Sequence, residues 1–194
     1  MRKLAVLTFV SLDGVMQGPS HADEDRSNDF DVGGWAAPWW EPVMEDVRAS
    51  AMATNYDLLL GRKTYELFAG HWSSNTDTSP EATRMNEATK FVVTRDGVAA
   101  TWSNSTVLTG DAAAEVRALK QTDGQLLQVH GSWDLIQTLA GADLIDEYRL
   151  WVFPVVVGQG KRLFPTQPEP RQFEPVSQAV LKCGVVRSFF KPNG

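Results

Sequence analysis

Short unbroken apolar runs alternate with segments of helical periodicity along most of this chain, and the last third carries strand patterns alone. Residues 4–10 form a β-rich run closed by the turn Ser11-Leu12-Asp13-Gly14. Residues 41–55 read as a helix with Pro42 at its tolerated first position, and Val43, Met44, Val47, Ala51 and Thr54 fall on one face. Asp46 borders that stripe, whereas Glu45 points to the opposite side. A strand at 57–61 and a short helix follow, then a Ser/Thr/Asn-rich loop over 69–87 that leads into a short polar segment. Strands are expected at 91–95 and 106–108, and Asp111 caps a helix over 112–120. A strand to Val129 and a helix over 132–139 come next. Residues 150–157 form a long apolar strand interrupted by Pro154, and 172–177 with 180–191 close the chain as a hairpin. This order predicts an α/β fold: a mostly parallel, twisted central sheet, flanking helices and an antiparallel C-terminal hairpin, in one domain over 1–194.

The most chemically suggestive stretch is Asp57-Leu58-Leu59-Leu60-Gly61-Arg62-Lys63-Thr64-Tyr65-Glu66. Three leucines in a row fit a strand covered on both faces. Gly61 permits a sharp turn and close approach to a ligand. Thr64 and its neighbouring amides sit where a helix start favours an anion, and Arg62 and Lys63 add full charge. The pattern recurs in Leu126-Leu127-Gln128-Val129-His130-Gly131-Ser132-Trp133-Asp134-Leu135. Two such turns on one sheet suit two phosphates of an extended ligand such as a dinucleotide. Neither carries the Gly-x-Gly-x-x-Gly fingerprint, and either alone reads more often as an ordinary strand-to-helix turn.

Composition narrows the partners. A net charge of −6 and a pI near 5.0 argue against nucleic acid, and the basic pairs Arg62-Lys63 and Lys161-Arg162 suit a small anion better than a polymer. Lys161 and Arg162 otherwise read as solvated surface charge. The single cysteine, Cys183, excludes an internal disulfide and any multi-cysteine metal site, and no metal is expected. No run reaches membrane-spanning length and no signal-peptide pattern opens the chain, so a cytoplasmic protein with no membrane partner is expected.

Residues 17–40 are a long loop: acidic Asp23-Glu24-Asp25, then Gly33-Gly34-Trp35-Ala36-Ala37-Pro38-Trp39-Trp40. Loops of this length are usually functional or disordered. Three tryptophans in a short span argue against disorder, since such rings need burial or a ligand. A dimer contact is the equal alternative.

Taken together, Thr8-Phe9-Val10-Ser11-Leu12-Asp13-Gly14, Leu59-Leu60-Gly61-Arg62-Lys63-Thr64-Tyr65-Glu66, Val129-His130-Gly131-Ser132, Asp146-Glu147-Tyr148-Arg149-Leu150 and Pro154-Val155-Val156-Val157-Gly158-Gln159-Gly160-Lys161-Arg162-Leu163-Phe164 resemble the bacterial deaminase-reductase C-terminal domain family of riboflavin synthesis. That family lies within the dihydrofolate reductase-like superfamily, and the resemblance covers essentially the whole chain. It implies NADPH as cofactor and hydride transfer to a small pyrimidine, pterin-like or sugar-derived substrate. The activity it resembles is 5-amino-6-(5-phosphoribosylamino)uracil reductase. Carried over, Gly61, Arg62, Lys63 and Thr64 hold adenosine-side phosphates, and Thr94 and Arg95 lie near the 2′-phosphate. Gly131, Ser132, Trp133, Asp134 and Leu135 cradle the pyrophosphate. Asp13 and Asp46 are the catalytic candidates, with Leu12, Trp35 and Trp40 as substrate contacts. Asp13 reads equally as a turn residue bonding its own backbone.

One cysteine leaves no set of zinc-deaminase ligands, so a stand-alone relative is expected, paired as a homodimer. The Gly-Gly-Trp loop departs from the riboflavin reductase pattern and points to a different substrate. The alternatives are a dinucleotide-binding sensor without turnover and a true dihydrofolate reductase.

Overall fold

The computed structural model describes residues 1–73, 78–164 and 170–193. In chain order the elements are β1 (Leu4–Ser11), α1 (Trp40–Ser50), β2 (Tyr56–Gly61), α2 (Arg62–Trp72), α3 (Pro80–Glu87), β3 (Lys90–Val93), β4 (Ser105–Leu108), α4 (Ala112–Gln121), β5 (Leu126–His130), α5 (Trp133–Gly141), β6 (Glu147–Phe153), β7 (Phe173–Val180) and β8 (Val186–Pro192). They form two compact units: Met1–Val6 with Thr54–Ile145, and Leu7–Ala53 with Asp146–Gly194. β1 runs through both.

In the first unit the strand order is β4-β3-β2-β5-β1, with β2 parallel to both β3 and β5, and β3 parallel to β4. Leu58, Leu59 and Leu60 are all fully buried, as a parallel strand packed on both faces requires. Arg2 anchors this unit through an ion pair with Asp57 and a 2.8 Å bond from Nε to the Gln125 carbonyl.

The second unit has the order β1-β6-β8-β7, with β6/β8 and β7/β8 antiparallel. Val43 and Val47 of α1 and Ala51 just after it form its core with Leu7, Trp151, Phe153, Val185 and Phe189. The expected sheet, mainly parallel with antiparallel C-terminal strands, is the one observed.

Boundaries shift for identifiable reasons. α1 stops at Ser50 rather than 55, because the Ala51 carbonyl takes a 3.1 Å bond from Arg149 Nη1 and the chain leaves the helix there. Pro154 ends β6 instead of interrupting it. Within the expected 69–87 loop, residues 74–77 lie outside the described residues, but α2 continues to Trp72 and residues 80–87 are helical. Ser79 caps α3 by accepting from Ala82 N at 3.1 Å, and Pro80 occupies the first turn. Asp111 caps α4 as expected, accepting from Ala114 N at 2.9 Å.

One buried charge stands apart from any site. Lys90 is fully buried, gives one bond to the Asn86 carbonyl at 2.6 Å, and lies 4.4 Å from the Trp102 ring centroid. Burial lowers its pKa from 10.5 to about 8. Between those values the unfolded chain holds the proton more tightly, so this group adds stability as pH rises and costs most below about pH 8. Unfolding free energies from urea titrations at about pH 7.5 and pH 10 are expected to differ less in Lys90→Met than in wild type, by about 1–3 kcal/mol. Equal shifts in the two proteins would show that the lysine titrates normally.

Candidate active site

The register of the first unit sets its chemistry. Gly61 pairs with Val93, Val93 with Leu108, and Leu58 with Gln128. The carboxyl ends of β4, β3, β2 and β5 are therefore level, and the segments that follow open at one edge of the sheet. This brings together Arg62, Lys63 and Thr64 after β2, Thr94 and Arg95 after β3, and Gly131 and Ser132 after β5.

Arg62 and Lys63 are exposed in the first turn of α2, which holds no acidic residue; Arg62 Nη1 lies 3.3 Å from Glu66 Oε1 at the surface. Thr94 is buried; its amide donates to Leu108 O at 3.0 Å, and Arg95 is exposed. Gly131 has φ +62, and a Cβ there would meet nothing within 4 Å. Trp133 is half-buried and Asp134 exposed, whereas the Leu135 side chain points into the core. Asp134 lies in the first turn of α5, where it favours the helix dipole and opposes a second anion. The positive helix start is that of α2.

Gly61 differs from the sequence expectation. Its backbone is extended (φ −77, ψ 161), so no turn requires a glycine there. A Cβ on Gly61 would stand 3.3 Å from Ser132 Cβ and Oγ. The absent side chain makes room for Ser132, whose hydroxyl accepts from Gly61 N at 2.9 Å.

The catalytic and substrate candidates all belong to the second unit. The Asp13 carboxylate accepts from Ser11 Oγ at 2.7 Å, Val157 N at 3.0 Å, Gly158 N at 2.9 Å and Arg162 Nη2 at 3.2 Å. The Ser11 hydroxyl and then the Val157 and Gly158 amides hold it well below the usual carboxylate range. It ties the turn after β1 to residues 157–162. Of its two sequence readings, the turn residue is nearer, although the amides it binds are distant in sequence.

Asp46 is also occupied. Oδ2 accepts from Trp151 Nε1 at 2.9 Å, and Oδ1 from Arg187 Nη1 at 2.9 Å. Trp151 and Arg187 are cross-strand partners on β6 and β8, so one carboxylate braces α1 against both strands.

Trp35 and Trp40 are half-buried. Trp35 Nε1 donates to Gln17 O at 2.8 Å and its ring meets Phe153 edge-on at 5.4 Å; Trp40 meets Phe9 edge-on at 5.5 Å. Leu12 is 64% exposed.

Lys161 is largely withdrawn from solvent, and Arg162, though its side chain is 42% exposed, is held by bonds to Asp13. Lys161 Nζ reaches Asp25 at 2.7 Å and Ser27 Oγ at 2.8 Å, and Arg162 Nε donates to Asp13 O at 2.9 Å. Buried Gln17 donates to the Asp25 and Ser27 carbonyls and accepts from Lys161 N. Pattern reading missed Gln17, Trp151, Arg162 and Arg187 as organisers, because their partners lie far away in sequence. Among the described residues, no group of three His, Cys, Asp or Glu is placed to hold a metal, and no helix is long and apolar enough to cross a membrane.

Against known proteins, residues 2–187 match the RibD C-terminal domain. The chain belongs to the RibD C-terminal domain family. The uncharacterized protein YyaP of Bacillus subtilis (strain 168) is 29% identical over 198 residues, covering 100% of this chain and 96% of YyaP. A putative riboflavin biosynthesis protein from Shewanella sp. PV-4 superposes with a TM-score of 0.62 at 19% identity, covering 100% of both chains. Dihydrofolate reductase from Enterococcus faecalis, complexed with NADP(H) and RAB-propyl, superposes with a TM-score of 0.61 at 16% identity, covering 99% of this chain and 97% of that one. This RibD C-terminal domain has the dihydrofolate reductase-like fold.

Proposed function

We propose that this RibD C-terminal domain protein, acting as one domain over residues 1–194, is an NADPH-dependent reductase of a small pyrimidine, pterin-like or sugar-derived compound. Its activity is of the kind shown by 5-amino-6-(5-phosphoribosylamino)uracil reductase. The family and its dihydrofolate reductase-like neighbours support an NADP-dependent reductase. The observation that carries the reading is the level strand edge of the first unit. It collects two cations at one helix start, a third at the neighbouring strand end, and an open glycine at the next.

Those residues fit a phosphorylated dinucleotide. Arg62, Lys63 and Thr64 would hold one phosphate at the start of α2, with Arg95 and Thr94 beside the 2′-phosphate. The space at Gly131 admits the pyrophosphate against the backbone amides that follow. When bound, NADPH supplies the hydride. Asp13 enters as a positioning group, since a carboxylate kept ionised by four donors has no proton to give at neutral pH. Asp46 likewise braces the helix that carries it. Leu12, Trp35 and Trp40 remain the proposed apolar contacts for the substrate.

The test is a paired titration with NADPH and NADH, read by tryptophan fluorescence. NADPH is expected to bind markedly more tightly. Arg62→Ala is expected to weaken NADPH about three- to tenfold and NADH by less than about twofold, the scale for one exposed charge-assisted contact. Binding of neither nucleotide by the wild-type protein would sink the reading.

A further inference from the structure

Within the first unit, three groups form a hydrogen-bond chain. Gly61 N–H donates to Ser132 Oγ at 2.9 Å, and Ser132 Oγ donates to Thr64 Oγ1 at 2.8 Å. The backbone amide can only donate, so it occupies one acceptor position on Ser132, whose own proton is directed at Thr64. Thr64 then has its own proton to give, and that proton meets no acceptor among the described residues. Each donor in such a chain polarises the next. The chain ends in the first turn of α2, beside Arg62 and Lys63.

Ser132 occupies this place at a conformational cost. It follows Gly131, and both residues lie in the left-handed region, at φ 62 and 65. Serine rarely adopts that conformation, and a glycine would adopt it freely. The strain is maintained by the two bonds of the hydroxyl, and the absent Cβ of Gly61 provides the space for them. A serine needed only as a turn residue would make neither contact.

From this geometry we infer that Ser132 is a positioning residue rather than a ligand contact. It locks the turn after β5 to the start of α2 and orients the Thr64 hydroxyl as an outward donor to an anionic oxygen. In this sense the chain ends in a proton on Thr64, which suits an anionic oxygen such as a phosphate's. This rests on the dinucleotide reading above and divides its phosphate site into one contact, Thr64, and one support, Ser132.

Four single variants and one double variant test it by NADPH titration and thermal unfolding. Ser132→Ala and Ser132→Gly both remove the hydroxyl, but only the glycine relieves the left-handed strain. Both are expected to bind NADPH about tenfold more weakly, while their Tm values differ, glycine being the more stable. Affinity should therefore follow the hydroxyl and not the stability. Thr64→Val is expected to lose about tenfold, and Thr64→Ser, which keeps the hydroxyl, to stay within about twofold. Ser132→Ala combined with Thr64→Val should be no weaker than Thr64→Val alone, because the two groups act in series. The inference fails if Ser132→Ala binds within about twofold of wild type, or if the two losses multiply in the double variant. Wild-type protein that binds no NADPH overturns the dinucleotide reading and this inference together. Wild-type binding with indifferent Ser132 variants overturns the inference alone.

Discussion

Asp46→Ala is expected to lower the stability of the protein by about 2–4 kcal/mol, or roughly 5–15 °C in Tm, without regard to any bound nucleotide. The carboxylate satisfies the indole N–H of fully buried Trp151 and the guanidinium of Arg187, whose side chain is 18% exposed. Removing it leaves a donor without a partner and a half-buried cation without its anion. The second loss is the larger, because Arg187 Nε already has no partner among the described residues. Asp46→Asn keeps one oxygen, which can accept from the indole or the guanidinium but not both, and loses the charge, so at least about half the effect is expected. Asp46→Ala and Arg187→Ala should be strongly non-additive in a double-mutant cycle. The competing role, Asp46 as proton donor, makes the opposite forecast: Asp46→Asn would keep its Tm and abolish turnover. Thermal unfolding and initial rates on the same preparation decide between the two.

How far the sequence could be read depended on the range of the interaction. Leu58-Leu59-Leu60 specified a strand buried on both faces, because a hydrophobic run is a local property; Pro154 marked a break in the ladder, but the pattern carried the strand on to 157, whereas it ends at Phe153. The α3 start was equally local: Ser79 and Pro80 are a cap and a first-turn proline, masked by the polar composition around them. Gly61 shows the opposite case. Its presence before a helix suggested a turn or a ligand, yet its backbone is extended and the space is filled by Ser132 from another turn. Asp46 was placed correctly at the edge of the apolar stripe, but the pattern contains nothing about Arg187, which reaches it from β8. The tryptophans of the 17–40 loop were read as rings that need burial or a ligand, or that line a dimer contact, and they are half-buried. Gln17, which anchors Trp35 and gathers the Asp25 and Ser27 carbonyls, carried no signal in the pattern.

Asp13→Asn is the second large effect, and it depends on pH. All the donors to Asp13 point inward at the carboxylate: a hydroxyl, two backbone amides and an arginine. An asparagine turns one oxygen into an NH2 group, which faces those donors instead of accepting from them. The turn after β1 and residues 157–162 are then held by about half their bonds, and a loss of about 2–3 kcal/mol is expected at neutral pH. The sign with pH follows from the folded value lying below the ordinary 3.8. Above 3.8 both folded and unfolded chains carry the anion, and the stabilisation is present in full. As pH falls below 3.8 the unfolded chain takes up the proton first, and the stabilisation declines toward the folded value. Wild type and Asp13→Asn should therefore differ most in urea midpoint at neutral pH and converge in acid. A constant difference across that range would mean that the latch is held by shape, and that the charge of Asp13 contributes nothing to it.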